Sequence, residues 1–170
     1  MSDNRMKYTI DSNMQFPLVE IALEAGESAY IQQGSMVYHT PSVTLNTKLN
    51  ARSGSGFGKL MGAIGRSMVS GESMFITQAV SNSNDGKIAL APSTPGQVIA
   101  LELGAQQYRL NDGAFLALDG SAQYKMERQS VGRAFFGCQG GLFVMTTEGY
   151  GTLLANAFCS IKEIELTGGS

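Results

Sequence analysis

The sequence predicts an all-β protein in which repeated β units pack as a sandwich or a distorted barrel. Short stretches rich in Val, Ile, Tyr, Phe and Thr alternate with clusters of Gly, Asn, Asp and Ser, a pattern typical of strands separated by turns. Helical periodicity is scarce. The segment that starts at Ile21 (IALEAG) returns at Ile99 (IALELG) and begins again at Ile164 (IELTGG), which indicates an internal repeat.

The first unit contains most of the predicted strands. They lie at residues 19–23, 28–32, 36–39, 43–49, 74–80, 88–91 and 97–103. Before the strand at 88–91, Asp85-Gly86 predicts a β-hairpin, because Asp-Gly supplies the positive φ angles of a tight turn. Gly34 follows two glutamines and is predicted to lie in a turn.

The second unit repeats this order, so that Phe143 corresponds to Phe75 and Gly151 to Gly86. We therefore expect a first β unit at 7–98, a second at 99–163 and the start of an incomplete third at 164–170. A repeat unit buries its apolar face against its neighbours. The short third unit thus predicts either a truncated chain or an edge that another subunit covers.

The two units differ most in a glycine-rich segment, which is long at 53–71 and short around 131–140. Both segments mix cations with apolar side chains and are predicted to be surface loops. They form one locally basic, apolar contact surface in one interpretation, and tuck under the sheets as core plugs in the other. The candidate contact residues are Phe57, Lys59, Leu60, Met61, Arg66, Arg133, Phe135 and Phe136.

Composition bounds the class of protein. The chain has 170 residues, 43% of them hydrophobic, a net charge of −2 and a sequence pI near 5.4, so no overall basic field attracts nucleic acid or an anionic membrane. Cys138 and Cys159 are the only cysteines, and the N-terminus lacks an apolar signal core. These features predict a cytoplasmic protein with free thiols.

No residue pattern predicts an enzyme. The stretch from Gly54 to Leu60 resembles a phosphate-binding loop, but Leu60 stands where that loop needs Ser or Thr. A cupin-like metal site draws several imidazoles together, and His39 is the only histidine; we expect it at a strand end or on the surface. One histidine also leaves few ways to activate a nucleophile. We predict no catalytic activity, no cofactor and no metal.

Three features carry a resemblance to a known family. They are Gly71 to Phe75 (GESMF) with its counterpart Gly140 to Phe143 (GGLF), the glycine-rich stretch before each of them, and Ile88 to Pro92 (IALAP) followed by Pro95-Gly96. In these features residues 7–169 resemble the altered-inheritance-of-mitochondria protein 24 family, long classed as a domain of unknown function.

The resemblance implies a jelly-roll-like sandwich or double-stranded β-helix with internal repeats, similar to the tryptophan RNA-binding attenuation protein superfamily. It also implies oligomers and a further β unit after residue 163. The yeast member of the family is linked to mitochondrial inner-membrane organisation, whereas bacterial members have no established activity. In lacking a targeting extension, this sequence resembles the bacterial members.

We expect a non-catalytic scaffold or interaction protein. It acts as a homo-oligomer and presents the glycine-rich basic-apolar loops to a protein partner or a membrane surface. The alternative is a jelly roll that binds a small ligand between its sheets through Tyr30, Tyr108, Tyr124 and backbone amides. RNA binding is a further alternative, but the lysines are dispersed and form no basic stripe, so nucleic acid is not an expected partner.

Overall fold

A computed structural model describes residues 6–13, 15–48, 76–128 and 143–166. This part of the chain is all β, as predicted, with antiparallel strands and one 3-10 turn, Asp112–Ala114. The strands are β1 (Lys7–Asp11), β2 (Leu18–Leu23), β3 (Ser28–Gln32), β4 (Met36–His39), β5 (Val43–Lys48), β6 (Ile76–Ser81), β7 (Gly86–Leu90), β8 (Gly96–Leu103), β9 (Arg109–Asn111), β10 (Phe115–Asp119), β11 (Gln123–Arg128), β12 (Phe143–Glu148) and β13 (Gly151–Phe158).

The strands form three sheets around two hydrophobic cores. Their orders are β1-β2-β7-β4, β5-β6-β3-β10-β13-β8 and β11-β12-β9. The six-stranded sheet lies in the middle, because neighbouring residues of β13 face opposite cores. Leu154 packs in the core shared with the four-stranded sheet, and Leu153 in the core shared with the three-stranded sheet.

Burial on both faces explains the composition of the two central strands. All five residues of β10 are buried, and so are the first six of β13. A strand covered on both faces does not alternate apolar and polar residues. The outer strand β1, in contrast, alternates between exposed and half-buried residues.

The strands from β2 to β7 pair in the same order as those from β8 to β13. β7 lies between β2 and β4, as β13 lies between β8 and β10, and β6 lies between β5 and β3, as β12 lies between β11 and β9. One register shift interrupts the pairing of β4 with β7 between Met36 and Tyr38. Another interrupts the pairing of β10 with β13 between Phe115 and Ala117.

Two expectations from the sequence stay predictions. They are the jelly-roll-like arrangement and the unit boundaries at 7–98, 99–163 and 164–170.

The predicted hairpin at Asp85-Gly86 is wrong. β6 belongs to the six-stranded sheet and β7 to the four-stranded sheet, so the turn is a corner between two layers. Gly86 is not among the described glycines with positive φ. A Cβ at Gly86 would lie 2.2 Å from Ser81 Oγ and 2.9 Å from the carbonyl oxygen of Leu23. The glycine is therefore required by close packing rather than by its backbone angle.

Candidate functional site

The two glycine-rich segments connect strands that are paired with each other. Residues 49–75 run from Lys48 to Ile76, which are partners in the pairing of β5 with β6. Residues 129–142 run from Arg128 to Phe143, which are partners in the pairing of β11 with β12. All eight predicted contact residues lie outside the part of the chain that the structure describes. They are Phe57, Lys59, Leu60, Met61, Arg66, Arg133, Phe135 and Phe136. Cys138 also lies outside them.

The edge strand β4 carries an exposed apolar surface that the sequence analysis did not identify. Met36 is 36% exposed, Val37 57% and Tyr38 43%, and His39 is exposed as well. Among the described strands β4 has only β7 as a neighbour. One signal for this surface was present, since three residues in a row, Met36 to Tyr38, lack the acidic and basic side chains common on exposed edges.

The side chains of β4 make few polar contacts. The Tyr38 hydroxyl donates a hydrogen bond to Glu20 Oε1 on β2, and this bond raises the pKa of Tyr38. His39 Nδ1 lies 2.9 Å from the carbonyl oxygen of Thr40. The prediction that His39 lies at a strand end is confirmed, because β4 ends at this residue. Across the described ranges, no three His, Cys, Asp or Glu side chains are grouped to hold a metal ion.

A small cavity of about 220 Å³ lies beside the turn that follows β10. It is smaller than the roughly 300–1,000 Å³ of typical ligand pockets. Asp119 is 5% exposed, and its carboxylate is engaged inside the protein. Oδ2 accepts a hydrogen bond of 2.9 Å from Met6 N, and Oδ1 accepts bonds of 3.0 Å and 2.8 Å from Ser121 N and Oγ. Asp119 thus ties the residue before β1 to the turn after β10.

The tyrosines that suggested a ligand site pack against a hydrophobic core. The rings of Tyr30 and Tyr124 meet edge to face, with centroids 5.2 Å apart and an interplanar angle of 76°. Both rings and Tyr108 contact the core between the six-stranded and three-stranded sheets. The Tyr108 hydroxyl lies 3.2 Å from Gln106 Oε1. These positions give the tyrosines a packing role.

An ion pair joins the first residue of β1, Lys7, to Glu24, the residue that follows β2. Lys7 Nζ donates a hydrogen bond to Glu24 Oε1, and the two side chains are 61% and 55% exposed. The hydrogen bond and the charge of Lys7 hold the pKa of Glu24 below its ordinary value, and Glu24 in turn raises the pKa of Lys7. Such exposed pairs contribute little to stability.

Further apolar side chains are exposed near the start of β8. Phe16 is 51% exposed and Phe158 66%. Two backbone hydrogen bonds place Gln15 and Cys159 at the same end of β8. Gly96 N donates a hydrogen bond to the carbonyl oxygen of Gln15 at 2.9 Å, and Cys159 N donates one to the carbonyl oxygen of Pro95 at 3.1 Å. Cys159 is a free, exposed thiol with a φ of 63°.

Comparisons with known proteins identify relatives over nearly the whole chain. A family model described as "Mitochondrial biogenesis AIM24" matches residues 8–170. An uncharacterized protein of Streptococcus pyogenes serotype M6 is 77% identical over 170 residues, which are 100% of this chain and 68% of the relative. An X-ray crystal structure of another S. pyogenes protein is similar with a TM-score of 0.76 and 74% identity, covering 97% of this chain and 70% of that one.

Among the described residues, no helix has the length and hydropathy needed to cross a membrane.

Proposed function

This chain belongs to the Mitochondrial biogenesis AIM24 family, and we propose that it is a non-catalytic scaffold that acts as a homo-oligomer and presents its glycine-rich segments to a membrane surface. One observation carries the proposal. Both segments, 49–75 and 129–142, connect paired neighbouring strands at a sheet edge, β5 with β6 in the order β5-β6-β3 and β11 with β12 in the matching order β11-β12-β9. The fold therefore brings each segment back to the strand end from which it departs.

The composition of the segments favours an anionic surface as the partner. Residues 49–75 contain Arg52, Lys59 and Arg66 against one acidic residue, whereas the whole chain has a net charge of −2. The shorter segment places Arg133 two residues before a pair of phenylalanines. Basic and apolar side chains together bind the headgroup region of anionic bilayers. Each large apolar side chain that becomes buried contributes about 1.5 to 3 kcal/mol.

The packing of the described cores supports a role without catalysis. The interior is filled by large apolar side chains with less than 2% exposure, among them Phe115, Ile31, Leu118 and Met145. A filled interior leaves no room for a substrate between the sheets. A cytoplasmic location, predicted from the cysteines and the N-terminus, is part of the proposal.

Vesicle sedimentation tests the proposal. We expect the chain to sediment with vesicles that contain phosphatidylglycerol and to remain in solution with pure phosphatidylcholine. The double variant Phe135→Ser, Phe136→Ser removes two apolar anchors and should weaken binding by about tenfold or more. Phe16→Ser is the matched control, because it removes an exposed phenylalanine outside both segments. The far-UV β spectrum should be the same in all three proteins.

Two results would contradict the membrane role. The first is a wild-type chain that does not sediment with anionic vesicles at low salt. The second is equal binding by the double variant and the wild-type chain. A soluble protein partner would then be the remaining interpretation of the segments, to be tested by cross-linking from position 135.

A further inference from the structure

Asp119 is a buried carboxylate whose hydrogen-bond donors are all neutral. Its residue is 5% exposed. Met6 N donates to Oδ2 at 2.9 Å, and Ser121 N and Oγ donate to Oδ1 at 3.0 Å and 2.8 Å. Across the described residues, no basic side chain forms an ion pair with it. Since buried charges in proteins are normally paired, this environment favours a positively charged group beside Oδ2.

The cavity beside Asp119 has the same electrostatic preference. Its volume is about 220 Å³, and the charged side chains that line it among the described residues, Glu27 and Asp119, are both acidic. Glu27 Oε2 accepts a hydrogen bond of 2.7 Å from Glu24 N. The nearby ammonium group of Lys7 is paired with Glu24 instead. Two carboxylates beside one small cavity favour a cation between them.

The backbone nitrogen of Met6 lies where such a cation would act. It is 2.9 Å from Asp119 Oδ2, and the Met6 side chain packs in the core that the four-stranded and six-stranded sheets share. β1 begins at the next residue, Lys7, so every described strand follows Met6. In a chain that began at Met6, this amide nitrogen would be an α-ammonium group in the same place.

We propose that Asp119 and the cavity beside it form a binding site for the α-ammonium group of Met6, in a form of the chain without residues 1–5. The neutral hydrogen bond from Met6 N to Oδ2 then becomes a charge-assisted one, which is shorter and about twice as strong. An ammonium group carries three donors, and a carboxylate accepts at about four sites. The positive charge offsets the burial of the Asp119 carboxylate.

The backbone around Asp119 holds the carboxylate in place for this role. Asp119 is opposite Ala29 in the pairing of β10 with β3, and Gly120 N donates to the carbonyl oxygen of Ser28 at 2.9 Å. A Cβ at Gly120 would lie 2.0 Å from Ser28 Oγ, so the two chains approach as closely as glycine allows. A group that is fixed in advance loses little freedom when it binds its partner.

Two events would produce this terminus. A methionine can start translation at residue 6, and Arg5 offers a cleavage site to a protease that cuts after basic residues. Intact mass spectrometry on the untagged protein, isolated from the organism that makes it, should detect the shortened form. Met6→Leu should abolish that form if translation starts there, and Arg5→Gln should abolish it if a protease acts. Retention of residues 1–5 in the whole population would overturn the proposal.

Thermal unfolding tests the ion pair itself. The chain 6–170 with a free α-amine should unfold at a temperature about 3 °C or more above that of the same chain acetylated at Met6. Acetylation removes the charge and keeps every side chain, so the acetylated chain is the matched control. The chain 1–170 should resemble the acetylated chain, because Met6 N is an amide in both. Equal unfolding temperatures of the free and acetylated chains would contradict the ion pair.

Substitution of Asp119 shows whether the charge acts through this carboxylate. Asp119→Asn should lower the unfolding temperature more in the free-amine chain 6–170 than in the acetylated one, since only the former loses an ion pair. Asp11→Asn, at an exposed aspartate of β1, is the control and should affect both forms equally. An equal loss from Asp119→Asn in the two forms would exclude Asp119 as the partner.

Amine labelling decides if Asp119→Asn does not fold. The ordinary pKa of an α-amine is about 7.7 to 8.0 and that of lysine about 10.4, so acylating reagents at pH 7 react with an unpaired α-amine first. In the folded chain 6–170 the α-amine of Met6 should react about tenfold or more slowly than in urea, because an ion pair raises its pKa by about one unit or more. The Lys7 side chain, 61% exposed, is the internal control. An α-amine that reacts equally fast in both states would refute the site, whereas vesicle binding reports only the membrane role.

Discussion

Gly151 shows how one residue fixes the start of a central strand. Its φ is +136°, and a Cβ at this position would lie 2.7 Å from Asp119 Cβ and 3.0 Å from Asp119 Cγ. Since Asp119 is held by Met6 and Ser121, it cannot move away without loss of those bonds. Glycine at residue 151 is thus required both by the backbone angle and by the close approach of β10.

We predict that Gly151→Ala lowers the free energy of unfolding by about 2 to 4 kcal/mol, because it combines an unfavourable φ with a clash against a buried carboxylate. The measurement is urea denaturation followed by circular dichroism. Gly113→Ala is the control, since no atom lies within 4 Å of a Cβ there and no positive φ is required. Equal stability of the two variants would contradict this account of Gly151.

The ion pair between Lys7 and Glu24 predicts a pH dependence with a definite sign. The pKa of Glu24 is lowered in the folded state by Lys7, so its contribution to stability is present above the ordinary pKa of a glutamate and is lost as the pH falls through the folded-state pKa. Lys7, whose pKa is raised by Glu24, contributes below its ordinary pKa and loses that contribution only in strong alkali.

Glu24→Gln should therefore be less stable than the wild-type chain near pH 7 by a small margin, and the two proteins should converge below about pH 4. Thermal unfolding across this pH range measures the effect. Because both side chains are more than half exposed, added salt should reduce the difference at neutral pH. A difference that grows towards acid pH would show that Glu24 is not stabilised as a carboxylate.

At the scale of the element, local patterns predict strands better than they predict partners. The bounds of β3 and β4 agree with the sequence prediction, because both strands flank Gly34, whose φ of 86° confirms the predicted turn. β1 was not predicted, although it alternates along its five residues. β9 has only three residues, too few for a periodic pattern to indicate a strand.

The error at Asp85-Gly86 has a physical cause. Turn chemistry is local, whereas the choice between a hairpin and a corner depends on pairing with strands far along the chain. β6 pairs with β5 and β3, and β7 with β2 and β4, so the turn connects two layers. A side chain also anchors the turn, since Asn82 Nδ2 donates a hydrogen bond to Thr44 Oγ1 on β5 at 2.9 Å.

The candidate site was accessible to the sequence only in part. Residue types alone identified the two basic-apolar segments, and the pairing of Lys48 with Ile76 and of Arg128 with Phe143 gives them equivalent attachment points. The exposed face of β4 was not predicted, because an apolar strand has the same sequence pattern whether a neighbour covers it or not. Exposure of an edge is decided by the number of strands in the sheet.

At the scale of the whole molecule, the middle sheet joins the two cores into one unit. β10 and β13 place side chains in both cores, and β3·β10 is the pairing that joins the strands β5-β6-β3 to β10-β13-β8. Neither outer sheet has a core of its own. The described part of the chain should consequently unfold in one cooperative step rather than sheet by sheet.

Leu153 and Leu154 test this expectation, because they are adjacent, equally buried and face opposite cores. Each Leu→Ala variant should lower the free energy of unfolding by about 2 to 5 kcal/mol, and each should keep a single urea transition at a fixed protein concentration. Far-UV circular dichroism reports all the sheets. In a Tyr8→Phe background, which removes the tyrosine beside the first core, the change in tyrosine fluorescence on unfolding reports Tyr30, Tyr108 and Tyr124 beside the second core. Leu166→Ala, at a residue that is 90% exposed, should change stability by less than about 0.5 kcal/mol. If Leu154→Ala separates the two signals into distinct transitions, the cores fold independently and the middle sheet does not couple them.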